Sequence, residues 1–459
     1  MSHFVFFDTE TTGLSRDFDQ ILQFAAILTD NNLRELDRFE IRCRCLPWVV
    51  PAPVALQVTG VTPKQLTDPT LPSFFEMMGS IKNKLVAWSP ATFVGYNSKR
   101  FDEPLLQRAF WQTLHPPYLT VTGDNARMDL LPLVQAASHL AEGALSFPRN
   151  AKGNVSFKLD ALAPLNGFAH ANAHDALADV EATIHIAKLI SERAPNLWQA
   201  SAMRAPKHAT AGILKQGHPV YVVEHFMGKP VVWWGQRIDD NGTRGTNAFV
   251  VRLKTDWREI VNAGAPTIDK LLASTPKPLR PLALNKAPVV FTVEEAKLHW
   301  NAELDVQARA ISAFLEASPS TCRNILNRHR AIQEPWPKPE HLEQKIFEGF
   351  PSRIDEQAML TFQKATWTER EQIMRSFEDV RFSQLAQRII YVDAPEFLNP
   401  ADLERCKVAV NQRLHEDLND GNLWRTVPAA LRELDEVRLT DGGEEFVQLV
   451  EDWLRSLSR

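Results

Sequence analysis

Phe4-Val5-Phe6-Phe7-Asp8-Thr9-Glu10-Thr11-Thr12-Gly13 is an apolar strand that delivers two acids and then breaks at a glycine. Successive side chains of a strand point to opposite faces, so Asp8 and Glu10 share one face, about 6 to 7 Å apart along the chain. Two carboxylates held that close at the end of a hydrophobic strand repel each other unless a cation lies between them, and hard oxygen ligands suit Mg²⁺ or Mn²⁺. Acids are also common just past strand ends, so the pair alone leaves open whether this is a metal site or an acidic strand terminus. Further acids and a base downstream bear on that choice.

Phe93-Val94-Gly95-Tyr96-Asn97 reads as a short β-rich run that gives way to a helix start at Asp102-Glu103-Pro104-Leu105-Leu106. Asp102 fits an N-cap as well as it fits a ligand. Farther on, Asn172 through Val180 opens a helix whose apolar residues Leu177, Val180, Ile184 and Ala187 recur at helical spacing. On one continuous helix the spacing of His174 and Asp179 would separate them by roughly 140°. They converge only if His174 lies on the lead-in and Asp179 within the helix. A base on a loop above a rigid metal ligand is the arrangement that activation of water requires.

The ordered set of strand pair, helix start, loop base and helix acid resembles the DEDDh family of 3′→5′ exonucleases, whose fold is ribonuclease H-like. Motif one corresponds to Asp8-Thr9-Glu10, motif two to Asn97 through Asp102, and motif three to His174 through Asp179. Pro63 after Thr59-Gly60-Val61-Thr62, Gly95-Tyr96-Asn97, Arg100-Phe101-Asp102, Asp124-Asn125-Ala126-Arg127-Met128-Asp129-Leu130-Leu131, Ser156-Phe157-Lys158-Leu159 and Asn172 through Asp179 are similar to the bacterial exodeoxyribonuclease I family. Glu348-Gly349-Phe350 and Tyr391-Val392-Asp393 are similar to that family's C-terminal region. Its better-known members carry Asp-Tyr-Glu-Thr-Phe-Gly at motif one, where this chain has Asp8-Thr9-Glu10-Thr11-Thr12-Gly13.

The resemblance implies a processive exodeoxyribonuclease that removes 5′-mononucleotides from the 3′ end of single-stranded DNA in repair and recombination. It implies two Mg²⁺ ions, with Mn²⁺ able to substitute. Asp8 would bridge them, Glu10 and Asp179 would complete the first, Asp102 would hold the second, and His174 would be the general base. Thr11, Asn97, Arg100, Arg127 and Lys158 are the expected DNA contacts. The resemblance also implies binding of the acidic C-terminal tail of single-stranded DNA-binding protein. The run Val289-Val290-Phe291-Thr292-Val293-Glu294-Glu295 is acidic where that family would have arginine, so no residue is carried over for the tail. A monomer is expected. A proofreading or RNA-trimming DEDDh enzyme has the same catalytic residues but rarely so long an extension, and a nucleic-acid-binding scaffold leaves motif one unexplained.

Length and composition agree with several domains. The chain has 459 residues and is 44% hydrophobic, without an apolar run of the roughly 18 residues needed to cross a membrane. Met1-Ser2-His3 leads straight into a strand, so a cytoplasmic location is expected. Cys43, Cys45, Cys322 and Cys406 lack knuckle spacing and read as reduced thiols. A net charge of −5 excludes indiscriminate attraction to phosphate, so nucleic-acid binding must be local.

The expected architecture is an α/β ribonuclease H-like exonuclease domain over 1–196, an SH3-like β-containing domain with connecting helices over 197–340, and an all-α C-terminal domain over 341–459. From Gly217 onward short strands alternate with turns, and Tyr221 with Phe226 and Trp233 with Trp234 are candidates either to stack bases or to fill a small core. Glu294 through Leu315, Cys322 through Ile332, Glu356–Phe362, Thr368–Phe377, Phe382–Ile390, Pro400–His415 and Asp441–Ser456 read as helices, none carrying chemistry.

Overall fold

The structure is a computed structural model that describes residues 3–169, 175–215, 217–226, 229–239, 246–334, 337–416, 423–439 and 443–457. Strand β1 (His3–Thr11) runs through the middle of a five-stranded sheet of order β3-β2-β1-β4-β5. It pairs antiparallel with β2 (Ile21–Thr29), which pairs antiparallel with β3 (Glu35–Arg42). On its other side it runs parallel to β4 (Ala91–Gly95), itself parallel to β5 (Ala126–Asp129). The mixed sheet is covered on both faces, as β1 requires, since its apolar residues do not alternate with polar ones until Asp8. Val5 and Phe7 pack with the helices Phe74–Ala87 and Asp102–Gln112, whereas Phe4 and Phe6 pack with Leu130–Leu140 and Ala176–Arg193.

One break in the pairing opens this sheet. β4 pairs only with His3 through Phe6, so the residues of β1 beyond Phe6 have no strand on that side. The end of β1 is thereby left open beside the start of the Asp102–Gln112 helix.

A second five-stranded sheet, antiparallel throughout, has the order β10-β6-β7-β8-β9, with β6 Pro219–Phe226, β7 Lys229–Arg237, β8 Asn247–Arg252, β9 Leu279–Ala283 and β10 Val290–Thr292. This is the SH3-like, β-containing part of the expected fold. Its alternation splits β6 between two cores. Val220 and Val222 face Trp233, Val250 and Leu282 inside the second sheet, while Tyr221 and Val223 join Phe291 in the core shared with the Ala176–Arg193 helix. The remainder is helical, and it packs back on the first domain. Phe75, Trp111 and Leu114 share a core with Phe362, Phe382 and Ile390, and Leu22, Val50 and Leu56 share another with Leu414, Leu434 and Val450.

In the helical region after Thr292, two α-helix assignments differ from the sequence reading. The stretch 294–315 is two helices, Val293–Trp300 and Val306–Ala317, because Asn301 takes a left-handed φ of 50° and Asp305 caps the second through Ala308 N–H at 2.7 Å. Val427–Leu439 is a helix that the sequence reading did not include. All four cysteines are free thiols, and among the described residues no helix is long and apolar enough to cross a membrane.

Buried Glu343 ties the helical region together. It accepts from Arg388 at 2.8 Å and also pairs with Arg413. Burial alone would raise its pKa, but the two guanidiniums outweigh burial and hold it at about 2. A depressed carboxyl contributes stability that is fully present above the unfolded value near 4.5 and is lost as pH falls from there through about 2. Glu343→Gln should therefore cost on the order of 3 kcal/mol at pH 7 and flatten the acid limb of stability. Urea unfolding of both proteins between pH 6 and 3 checks this, and parallel stability curves would contradict it.

Candidate active site

Asp8 and Glu10 end β1 on the face covered by the Ala176–Arg193 helix, and Asp179 lies in the first turn of that helix. Each of the three offers a carboxylate oxygen, and these oxygens lie within 4.8 Å of one another. The β1 alternation and the helical placement of Asp179 are as the sequence implies. Asp175 anchors the helix. Its carboxylate caps the N–H groups of Leu177 and Ala178 and is gripped from the sheet by Arg42 of β3 at 2.7 Å and Gln23 of β2 at 3.1 Å. His174, the expected base on the residue before this cap, lies outside the described residues.

Asp102 opens its helix where β4 has left β1 unpartnered, and it is buried. Thr9 points to the opposite face of β1 from Asp8 and Glu10, and its hydroxyl donates to Asp102 Oδ1 at 2.6 Å. Thr12, at the other departure, is fully buried, donates to Asp19 at 2.8 Å and accepts from Gln20 N–H at 2.9 Å, closing the β1–β2 connection.

The acids strain against each other. Burial, followed by repulsion from Asp102, Asp179 and Glu10, holds Asp8 well above the ordinary carboxylate range. Burial and the charges of Asp179 and Asp102 push Glu10 up to about 8. Asp102 is raised to about 7 by burial despite the lowering effect of the Thr9 hydroxyl. Such a cluster lowers its energy only by taking up protons or a cation. Its all-oxygen donor set fits a hard divalent ion.

The expected DNA contacts divide. Asn97 and Arg100 are exposed beside Asp102, and Lys158 is exposed at the start of the Leu159–Leu165 helix, next to Phe157, whose carbonyl accepts from the Tyr96 hydroxyl. Thr11 is buried and donates to Gly13 O at 2.8 Å. Arg127 requires correction as a surface contact: it is buried, and its Nη1 donates to Glu103 at 2.8 Å beneath the Asp102 helix. The base-stacking reading of the second sheet also changes. Trp233 is buried with its Nε1 on Glu224, and half-buried Trp234 packs against buried Tyr221 with ring centroids 5.0 Å apart. Phe226 alone of the four candidates is exposed.

A mixed sheet with acids at the end of its central strand, answered by an acid on each of two flanking helices, defines a ribonuclease H-like metal-dependent nuclease domain. Residues 5–187 match the RNase_T family of exonucleases. The chain is similar to proteins named exodeoxyribonuclease I. It is 27% identical to the Escherichia coli K12 enzyme of that name over 78% of each chain, and 28% identical to the Haemophilus influenzae one over 83% of this chain and 84% of that protein. The crystal structure of E. coli exonuclease I in complex with a dA16 oligonucleotide superposes with a TM-score of 0.84 over 99% of both chains at 24% identity, so the fold is shared from end to end.

Raised carboxyls bind protons in the range where most acids do not, and a cation must displace those protons. With Glu10 near 8 and Asp102 near 7, divalent-ion affinity should fall steeply as pH drops from 8 to 6, and binding should release protons into solution. Thr9→Val removes the hydroxyl that lowers Asp102, so its affinity loss should begin at higher pH, by about 10-fold at pH 7. Mn²⁺ titration calorimetry in buffers of different ionisation enthalpy reads both effects. Affinity that does not change with pH would rule out the raised carboxyls as ligands.

Proposed function

We propose that this chain is a single-stranded DNA-specific 3′→5′ exodeoxyribonuclease that releases 5′-mononucleotides by hydrolysis, processively, in DNA repair and recombination. The observation that carries the reading is the convergence of Asp8, Glu10 and Asp179 within 4.8 Å, with Asp102 close enough to raise Asp8, in a chain that shares the exonuclease I fold over its whole length. Proofreading or RNA-trimming nucleases share the acids, but the second sheet and the helical region speak for exonuclease I.

Asp8, Glu10 and Asp179 would hold one Mg²⁺ ion, and Asp8 with Asp102 a second, with Mn²⁺ able to substitute. When bound, the ions acidify the attacking water and neutralise charge on the leaving 3′-oxygen. The chain's own residues do the rest. Thr9 keeps Asp102 turned toward the site, the Asp175 cap and its Arg42 contact fix the helix that carries Asp179, and His174 accepts the proton of the water. Arg100, Lys158 and the exposed Asn97 would meet the phosphates of the terminal nucleotides, which keeps attraction local in a chain of net charge −5.

Processivity follows from continuity of packing. The second sheet and the helical region are joined to the nuclease domain through shared apolar cores, and so joined they would serve as a fixed surround for a strand between cleavages. We place the enzyme in the cytoplasm as a monomer, with the C-terminal tail of single-stranded DNA-binding protein as partner; E. coli exonuclease I has been solved in an SSB/Exonuclease I complex with an inhibitor.

End-labelled single-stranded DNA, duplex DNA and RNA digested side by side with Mg²⁺ and an excess of unlabelled trap test the reading. Labelled single strands should be either untouched or fully degraded, with duplex and RNA spared. A ladder of intermediates would remove processivity, and preferential digestion of RNA would transfer the chain to the trimming class.

Asp8→Ala should lower kcat by at least about 100-fold with single-stranded DNA still bound, because its carboxylate positions the metals and not the distant strand. Filter binding and single-turnover kinetics measure the two halves, and activity above about one per cent of wild type at saturating Mg²⁺ would take Asp8 out of that role.

His174→Ala should lower kcat by roughly 10²- to 10⁴-fold and remove the acid limb of the pH profile near pH 6 to 7. An unchanged profile would assign the proton to another group.

A further inference from the structure

Asp129 closes β5 and caps the helix Leu130–Leu140, accepting from Leu131 N–H at 3.1 Å. Its buried carboxylate has a second set of partners outside its own element. Oδ1 accepts from Asn97 N–H at 2.8 Å and Oδ2 from Lys99 N–H at 3.2 Å. Both amides belong to the irregular segment that carries the chain from β4 to Asp102.

That segment also has contacts of its own. The chain leaves β4 at Gly95, where a Cβ would lie 2.5 Å from Ser98 Cβ and 3.2 Å from Phe7 O, so only glycine fits. Asn97 follows in the left-handed region with φ of 60°. The Ser98 carbonyl then accepts from Phe101 N–H at 3.2 Å and from Glu103 N–H at 2.9 Å, starting the helix that begins at Asp102. The N–H groups that Asp129 holds belong to the Tyr96–Asn97 and Ser98–Lys99 peptide planes, and the second of these carries the Ser98 carbonyl. Charge-assisted bonds to a buried carboxylate are about twice as strong as neutral ones, so these planes, and with them the direction of the Ser98 carbonyl, are set by Asp129.

We infer that Asp129 is a positioning residue for the metal site, placing Asp102 through the 97–99 backbone without touching the metal or the DNA. The inference rests on the nuclease reading and deepens it. Thr9 orients the Asp102 side chain, and Asp129 sets where its main chain begins. A plain helix cap would affect stability and leave the site alone, which makes the two roles separable.

Asp129→Ala removes both acceptor oxygens and with them all three hydrogen bonds, whereas Asp129→Asn keeps one oxygen for Asn97 and Leu131 and turns an NH₂ group toward Lys99. Mn²⁺ binding to each full-length protein without DNA is measured by calorimetry, beside melting temperature and kcat and KM on single-stranded DNA. The Asp129→Ala protein should bind Mn²⁺ about 10- to 100-fold more weakly, with kcat lowered at limiting Mn²⁺ and restored by excess Mn²⁺; Asp129→Asn should fall between it and wild type. If Asp129→Ala does not fold, Asp129→Asn carries the test alone. A folded variant that melts lower yet keeps wild-type Mn²⁺ affinity and kcat would overturn the inference and leave Asp129 a cap only. A wild-type protein that binds Mn²⁺ but leaves single-stranded DNA intact would sink the nuclease reading instead, and the Mn²⁺ comparison would still decide the role of Asp129.

Discussion

Repulsion among carboxylates gathered at one end of β1 is the constraint around which the rest of the first domain is arranged. Acids so close together, Asp102 buried and the others half-buried, would drive the strand end and the two helices apart unless each were held from behind. Each is. The Asp179 helix is pinned by the Asp175 cap to Arg42 and Gln23, Asp102 is held by the Thr9 hydroxyl, and β1 itself is buried on both faces by Phe4, Val5, Phe6 and Phe7. The strain stored this way is what makes the site receptive to a cation, since metal binding relieves what folding imposes.

The break in pairing between β1 and β4 gives the site its second half. Had β4 continued alongside β1 past Phe6, the place taken by the start of the Asp102 helix would be filled by strand. The shortness of β4, the glycine at its end and the buried carboxylate of Asp129 are parts of one device that turns the chain out of the sheet and presents an acid there. Thr9 completes it from the far face of β1.

Much of this could be read from residue order. Period-two alternation placed Asp8 and Glu10 together, and the angle argument put Asp179 on the helix. The contacts that support these residues could not be read, because each depends on packing between elements distant in the chain. Thr9 acquires its role only because β4 stops short, and Asp129 only because β5 lies next to the segment leaving β4. Its position before Leu130-Leu131 signals a helix cap and nothing more. Tyr221, Trp233 and Arg127 were open to misreading for the same reason. An aromatic on a strand or an arginine near a motif looks available until the neighbouring core or the buried Glu103 is known. The split at Asn301 shows the limit of periodicity, which runs on through a left-handed residue that ends a helix.

Anomalous diffraction from crystals soaked in Mn²⁺ decides whether the gathered carboxylates are a metal site. A strong peak is expected at ligand distance from carboxylate oxygens of Asp8, Glu10 and Asp179 together, lost in Asp8→Ala crystals. A structure at the same Mn²⁺ concentration in which those three carboxylates hold no ion, while one binds elsewhere on the chain, would contradict it.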